Sequence, residues 1–270
     1  MRTNRINGAT MMRACMALLI MISVLGGTAA AAEPIRLRAD AWCPYNCEPV
    51  ADKPGYMVEI MQEIFADESG LDYQLLPWTR AVEEARAGRI DAVAGATIAD
   101  ADGLVFGQES IGLTTNVMIV RRGDQWRYTD ANSLEGKRLA AVLDYSYGKV
   151  LDDYIKAHAG DTSRLELAAG EDVTDQNLKK LLAGRVDVVI EDMNVAEFAL
   201  VAEGIDGLVE MQAIDGGTPL YIAFAPGNNG TARAARLDTG IKSLRKSGKL
   251  SRILARYGLG DWAPVMANAR

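Results

Sequence analysis

The chain reads as an α/β protein made of two similar lobes with a cleft between them, on three grounds. The stretch Ala87-Gly88-Arg89-Ile90-Asp91-Ala92-Val93 returns ninety-six positions later as Ala183-Gly184-Arg185-Val186-Asp187-Val188-Val189, with five of seven residues identical. In each copy an amphipathic run ends, a glycine supplies the left-handed turn that stops a helix, and a β-branched run opens a buried strand. Strand and helix patterns alternate before each copy, the order that builds a parallel sheet with helices packed on it. A loop is expected directly after each strand, Gly95-Ala96-Thr97 and Glu191-Asp192-Met193. In open α/β sheets ligands sit outside the carboxyl ends of the strands, so two such lobes imply one shared cleft.

The elements follow in order. Residues 1–32 carry Arg2, Arg5 and Arg13, then an apolar run from Ala14 to Leu25 too short to cross a bilayer, then Ala30-Ala31-Ala32. This is the pattern of a secretory signal peptide. Ile35 to Ala39 predicts the first strand. Met57, Ile60, Met61, Ile64 and Phe65 share one helical face and predict a helix running to about Gly70. Leu71, Tyr73 and Leu75 alternate as a strand, and Thr79 is placed to cap a helix that stops at Gly88. The apolar run Ser110–Arg122 predicts a strand crossing between lobes. A second set starts at Leu139–Leu143, with a helix from about Ser146, a strand at Leu165–Leu167, a helix from Thr174 and the repeat's second strand. Pro219–Ala225 predicts the return crossing, and two amphipathic helices end the chain. The expected division is 33–112 with 221–270 as one lobe and 113–220 as the other.

Charge and composition exclude several function classes. The chain has a net charge of −7 and, without the arginine-bearing leader, −10. Such a balance argues against nucleic acid and anionic membranes as partners. The single histidine, His158, falls in the last turn of its predicted helix, where a donor satisfies free carbonyls. One histidine and two remaining cysteines give no zinc motif, and no phosphate loop is present, so no metal, cofactor or catalytic set is expected. Cys43 and Cys47 are alone in the exported chain, and an oxidising compartment favours a disulfide between them. The competing redox reading of Cys-Pro-Tyr-Asn-Cys has one residue too many between its thiols.

The candidate ligand-binding residues lie at strand ends. Arg80 falls in the first turn of its helix, where a cation opposes the helix dipole and calls for a partner. That partner is either a ligand carboxylate or Glu83 or Glu84. In Asp144-Tyr145-Ser146-Tyr147-Gly148, Ser146 either caps a helix or, with the exposed amides, holds an anionic group. Trp42, Tyr45, Trp78, Tyr145 and Tyr147 pack as core if taken singly; as a set they imply a flat, cyclic or cationic ligand part.

From Glu33 to about Asp261 the chain resembles the periplasmic solute-binding proteins of polar amino-acid ABC importers (family 3 type). The resemblance is carried by Pro54-Gly55-Tyr56, Gly88-Arg89-Ile90-Asp91, Gly95-Ala96-Thr97-Ile98 and Phe106. It continues through Ser133-Leu134-Glu135-Gly136-Lys137-Arg138-Leu139, Gly184-Arg185-Val186-Asp187 with Asp192, and Ser247-Gly248-Lys249-Leu250. It implies the type II periplasmic-binding architecture, two three-layer α/β lobes joined by a two-strand hinge. It also implies a monomeric periplasmic receptor for a small polar ligand, serving a permease in the inner membrane. It marks Trp42 and the Trp78 neighbourhood as stacking walls, Gly95 and Thr97 as polar contacts, Ser146 and Tyr147 as a helix-end site, and Asp192 as the anchor for a ligand ammonium. One departure stands out: the family's usual carboxylate-clamping arginine, five residues after Thr97, is here Asp102. Either Arg80 replaces the clamp or the ligand is no ordinary α-amino acid. Two other readings use the same scaffold: a secreted lyase or dehydratase with Glu191 as its acid–base group, and an accessory or sensory receptor docking on a membrane or periplasmic partner.

Overall fold

Strand order shows how the two crossings divide the molecule. The computed structural model describes residues 33–268 except Glu171 and Asn228, together with Met1, so the expected leader lies outside the described residues. One sheet holds β1 (Ile35–Ala39), β2 (Leu71–Leu75), β3 (Ala92–Ala96), β4 (Val105–Phe106), β5 (Gly112–Thr114) and, from far along the chain, β11 (Thr218–Phe224). Its order is β2-β1-β3-β11-β4, with β5 also on β11. The second sheet holds β6 (Asn116–Arg121), β7 (Leu139–Val142), β8 (Leu165–Ala168), β9 (Val188–Asp192) and β10 (Val209–Ala213), in the order β10-β6-β9-β7-β8. In each sheet three strands run parallel, β2-β1-β3 and β8-β7-β9. An antiparallel strand then covers the repeat's strand, β11 on β3 and β6 on β9.

Helices cover the sheets. The first lobe carries α1 (Tyr56–Ile64), α2 (Trp78–Arg86), α6 (Gly230–Lys246), α7 (Lys249–Ala255) and α8 (Ala263–Asn268). The second carries α3 (Lys149–Ala157), α4 (Val173–Leu182) and α5 (Met193–Glu203). Each sheet has an apolar cluster on both faces. Leu37, Ile60, Ile222 and Leu237 lie in one cluster of the first lobe, Val82, Val93 and Ala223 in the other. Ile119, Val189 and Leu200 lie in one of the second lobe, Leu139, Leu151 and Ile190 in the other. The architecture is the two-lobed, three-layer α/β arrangement with a two-strand connection. The chain changes sheets at Thr115, between β5 and β6, and again between β10 and β11. Asp215 ties these crossings together, accepting from the amide and side chain of Asn116 and from the Gly217 amide.

Both repeat copies perform the predicted turn. Gly88 (φ 69°) and Gly184 (φ 70°) are left-handed and end α2 and α4. Several local expectations need correction. Thr79 does not cap α2; Pro77 stands at that position and no side chain caps the helix. The first helix stops at Ile64, with turns from there to Gly70. The helix expected from Ser146 begins at Lys149, because Gly148 (φ 85°) turns the chain first. Glu191 and Asp192 end β9 rather than lying in a loop, and Gly95 and Ala96 still belong to β3. The run Ser110–Arg122 breaks at Thr115, where the chain leaves one sheet for the other. The structure adds β4, β10, α5 and α8, which were not among the expected elements. Among the described residues no helix is long and apolar enough to cross a membrane.

Candidate functional site

The first wall of the cleft is a disulfide-closed loop seated on a helix end. Cys43 and Cys47 are bridged. Beside the bridge, Trp42 and Asn46 pair, with the Trp42 amide donating to Asn46 O at 2.7 Å. The free amides at the start of α1 hold the loop, Tyr56 N donating to Pro44 O (3.0 Å) and Met57 N to Tyr45 O (3.1 Å). Gly55 (φ 109°) permits this seat. A Cβ there would lie 2.4 Å from Tyr45 O. The motif Pro54-Gly55-Tyr56 therefore positions Trp42.

A chamber of about 70 Å³ opens between the strand ends of the two lobes. Nine of the eleven candidate residues line it: Trp42, Trp78, Gly95, Thr97, Tyr145, Ser146, Tyr147, Glu191 and Asp192. Trp42 stacks on Tyr45 at 4.4 Å and meets the edge of Tyr145 at 6.3 Å, so rings from both lobes touch. Tyr45 itself is fully buried behind Trp42 and does not line the chamber. Its hydroxyl lies 2.9 Å from both Leu113 O and Asp192 Oδ1 and accepts from Asn194 Nδ2.

Three expected roles meet geometry that differs. Arg80 is not brought to the chamber: its side chain is 68% exposed and lies 3.9 Å from Glu84, one turn along α2. Near Ser146 and Tyr147, the place of an anion is taken by the chain's own Asp152. Its carboxylate accepts from Ser146 Oγ and from Tyr147 N, each at 2.7 Å. Asp192 is 2% exposed and saturated from within. Oδ1 accepts from the Val195 amide (3.0 Å), capping α5; Oδ2 accepts from Thr114 Oγ1 (2.9 Å) and Thr115 N (3.0 Å). It welds β9, α5 and the first crossing together. His158, as expected, ends α3, with Nδ1 2.8 Å from Tyr154 O.

The strand ends also bring in Asp40, Asp100, Thr114, Asn116 and Leu220, which the sequence reading missed. Asp40 was findable, because it directly follows β1 and the strand-end rule applies to it as well as to Thr97. Tyr145 donates its hydroxyl to Asp40, linking the lobes. Asp100 accepts from Thr97 Oγ1 at 2.6 Å and returns its own amide to that oxygen at 3.2 Å. Glu191 is 1% exposed and accepts from Asp192 N (2.8 Å), Thr174 Oγ1 (2.7 Å) and Trp42 Nε1 (3.4 Å). Burial raises the pKa of all four carboxyls, against the hydrogen bonds they accept, and pushes Glu191 up to about 7.

A second, larger space of about 330 Å³ adjoins the chamber and shares Asp40, Trp78 and Tyr145 with it. Its other walls include Leu75, Leu76, Pro77, Val142, Leu143 and Val173. Among the described residues no His, Cys, Asp and Glu group is arranged to hold a metal ion.

Two α/β lobes, crossed twice by the chain and closing on a shared acidic and aromatic chamber, define a bilobed binding protein of the periplasmic type. Residues 38–260 match the bacterial extracellular solute-binding proteins, family 3, and the chain belongs to that family. No curated protein sequence matches it significantly. Similar solved structures include a histidine kinase sensor domain likened to periplasmic binding proteins (19% identity, TM-score 0.67, 84% of this chain and 96% of that one). Another comes from work on glutathione import through GshT and the cystine ABC importer TcyBC of Streptococcus mutans (17%, 0.68, 84% and 95%). A third is EhuB in complex with hydroxyectoine (19%, 0.65, 86% and 91%). At these identities the likeness is one of fold.

Proposed function

We propose that the protein is an extracytoplasmic solute receptor that closes its lobes on a small polar ligand and delivers it to an ABC permease. The observation that carries this reading is the double origin of the chamber's walls. Asp40, Trp42 and Thr97 come from the first lobe, Tyr145 and Glu191 from the second. A ligand shifts an open–closed equilibrium only through contacts it gains on closure, and walls from both lobes supply them. The protein works as a periplasmic monomer after its leader is removed, and Trp42, Trp78, Gly95, Thr97, Tyr145, Tyr147 and Glu191 face the ligand. Small-angle scattering across a library of polar solutes tests this. At least one solute should compact the particle and raise its melting temperature; a library that does neither overturns the reading.

One observation favours a second reading, the secreted lyase: a buried carboxyl poised near neutrality in the cleft, Glu191, is what acid–base chemistry needs. Against it, both Glu191 oxygens already accept protein hydrogen bonds. Mass spectrometry of the ligand after incubation separates the two. A receptor returns it intact with wild type and Glu191→Gln alike, whereas conversion by wild type alone establishes the enzyme.

A further inference from the structure

The walls of the cleft are unusual for what they lack. Asp40, Asp100, Glu191 and Asp192 line the inner chamber, and no Lys, Arg or His of the described residues lines it or the adjoining compartment. None of the four forms an ion pair among the described residues. Arg80 points away, and the clamp position is Asp102, which is outside the lining. A ligand carboxylate would meet buried acids and no counter-charge.

A second, independent feature asks for a donor. Asn46 is fully buried; its amide nitrogen donates to Asp40 O at 2.7 Å, which fixes the amide's orientation. Its Oδ1 then has no partner. A Cβ on Gly95, a lining residue, would stand 3.5 Å from that oxygen and 3.6 Å from the Trp42 ring. A buried acceptor left without a donor is costly, so one beside the chamber marks where a ligand N–H is wanted.

Size sets the division of the ligand. One water needs about 10–15 Å³ on this measure, so the chamber of about 70 Å³ holds a head group of a few heavy atoms. The remainder must pass Asp40 and Tyr145 into the apolar compartment. We propose that the receptor selects an organic cation without a carboxylate, its N–H-bearing head among Trp42, Asp40, Asp100 and Glu191 and its apolar remainder against Leu75, Pro77 and Val142. The ring faces of Trp42 and Trp78 add cation–π attraction. Burial pushes the Glu191 pKa up to about 7, so a bound cation, which favours the carboxylate, drives protons off it.

This proposal rests on the receptor reading, and matched pairs separate the two. Agmatine against L-arginine, tyramine against L-tyrosine and histamine against L-histidine differ only by the carboxylate. Calorimetry should find at least one amine bound, at least tenfold tighter than its amino acid, with protons released in buffers of different ionisation enthalpy. Asp100→Asn should weaken that amine at least tenfold. If amino acids bind as well as their amines, or no amine binds while another solute compacts the particle, the cation proposal falls and the receptor stands. If no solute of any charge compacts it, the receptor reading has failed instead.

Discussion

The two copies of the Ala-Gly-Arg-(Ile/Val)-Asp motif are alike at one end of their strands and unlike at the other. Away from the cleft the hydrogen bonds repeat. Asp91 Oδ2 accepts from Arg36 N at 2.9 Å, and Asp187 Oδ2 accepts from Arg138 N at 2.9 Å. Asp91 N and Asp187 N return bonds to the carbonyls of the same two arginines. At the cleft end β3 leads into a loop where Thr97 and Asp100 hold each other. By contrast β9 runs without a break into α5, and Asp192 lies within hydrogen-bond distance of four donors. The shared end fixes the strand in its sheet; the divergent end gives each lobe its task. The first lobe offers Asp40 and Asp100 to the chamber; the second adds Glu191 and uses the next residue, Asp192, to hold the crossing.

That contrast is sharpest in stability. Asp192→Ala leaves the Val195 and Thr115 amides and the Thr114 hydroxyl without an acceptor in a buried place, while the Tyr45 hydroxyl keeps Leu113 O. Orphaned buried donors cost ~1–3 kcal/mol each, so a loss of about 4 kcal/mol is expected. For a domain of this size that lowers Tm by roughly 10 °C. A melting temperature within 2–3 °C of wild type, on the order of 1 kcal/mol, would show that Asp192 is not the weld described.

Periodicity and glycine placement made the parallel halves legible, because buried strands and helix stops are local in sequence. The chamber was legible as far as strand ends could be placed, which is why Trp42, Thr97 and Tyr145 were found. What was hidden depends on contacts between distant segments. Arg80 follows a tryptophan that lines the chamber but leaves on the other side of α2. Asp152 reaches back six residues to Ser146, so the helix-end site is already filled. The edge strands β4 and β10 are short or half-exposed and carry little pattern of their own.

The next effect is in pH. Burial raises Glu191 from 4.5 to about 7, against the Asp192 amide and Thr174 hydroxyl it accepts from. The folded protein therefore holds more protons than the unfolded chain between those values, and this contribution to stability declines as pH rises through that window. At 1.36 kcal/mol per unit the decline totals on the order of 3 kcal/mol. Glu191→Gln should flatten the profile and melt above wild type at pH 8, with the two converging near pH 4.5. Parallel profiles would contradict the raised carboxyl.

The shared ends allow a smaller contrast. Asp91 is 20% exposed and also pairs with Arg233 at 2.9 Å, whereas the Asp187 side chain is 37% exposed with Arg121 at 3.7 Å. Burial resists the Asp91 charge, but the Arg36 and Arg233 bonds win and hold its pKa low. Asp91→Asn should cost ~2 kcal/mol, a charged hydrogen-bonded pair, and Asp187→Asn about 1 kcal/mol or less, as for an exposed one. Urea titration would measure both, and equal losses would mean the second arginine pair adds nothing.

The smallest stability effect belongs to Thr97→Val, and it tests the contrast from the other side. Its hydroxyl bonds only to Asp100, inside one exposed-edged loop, so its removal leaves no donor stranded in the core. A loss within about 1 kcal/mol is expected, the net value of one hydrogen bond. The same bond, however, counters the burial that raises the Asp100 pKa and so favours its charged form. Without it the Asp100 pKa rises further, so the chamber loses negative charge at a higher pH than in wild type. As pH is lowered, ligand affinity should therefore decline at a higher pH than in wild type and recover as pH rises, while Tm barely moves. At Asp192 the ordering is reversed, with stability failing first. A Thr97→Val protein that melts early but binds normally would place the structural weld in the first lobe, and the division between the two strand ends would be lost.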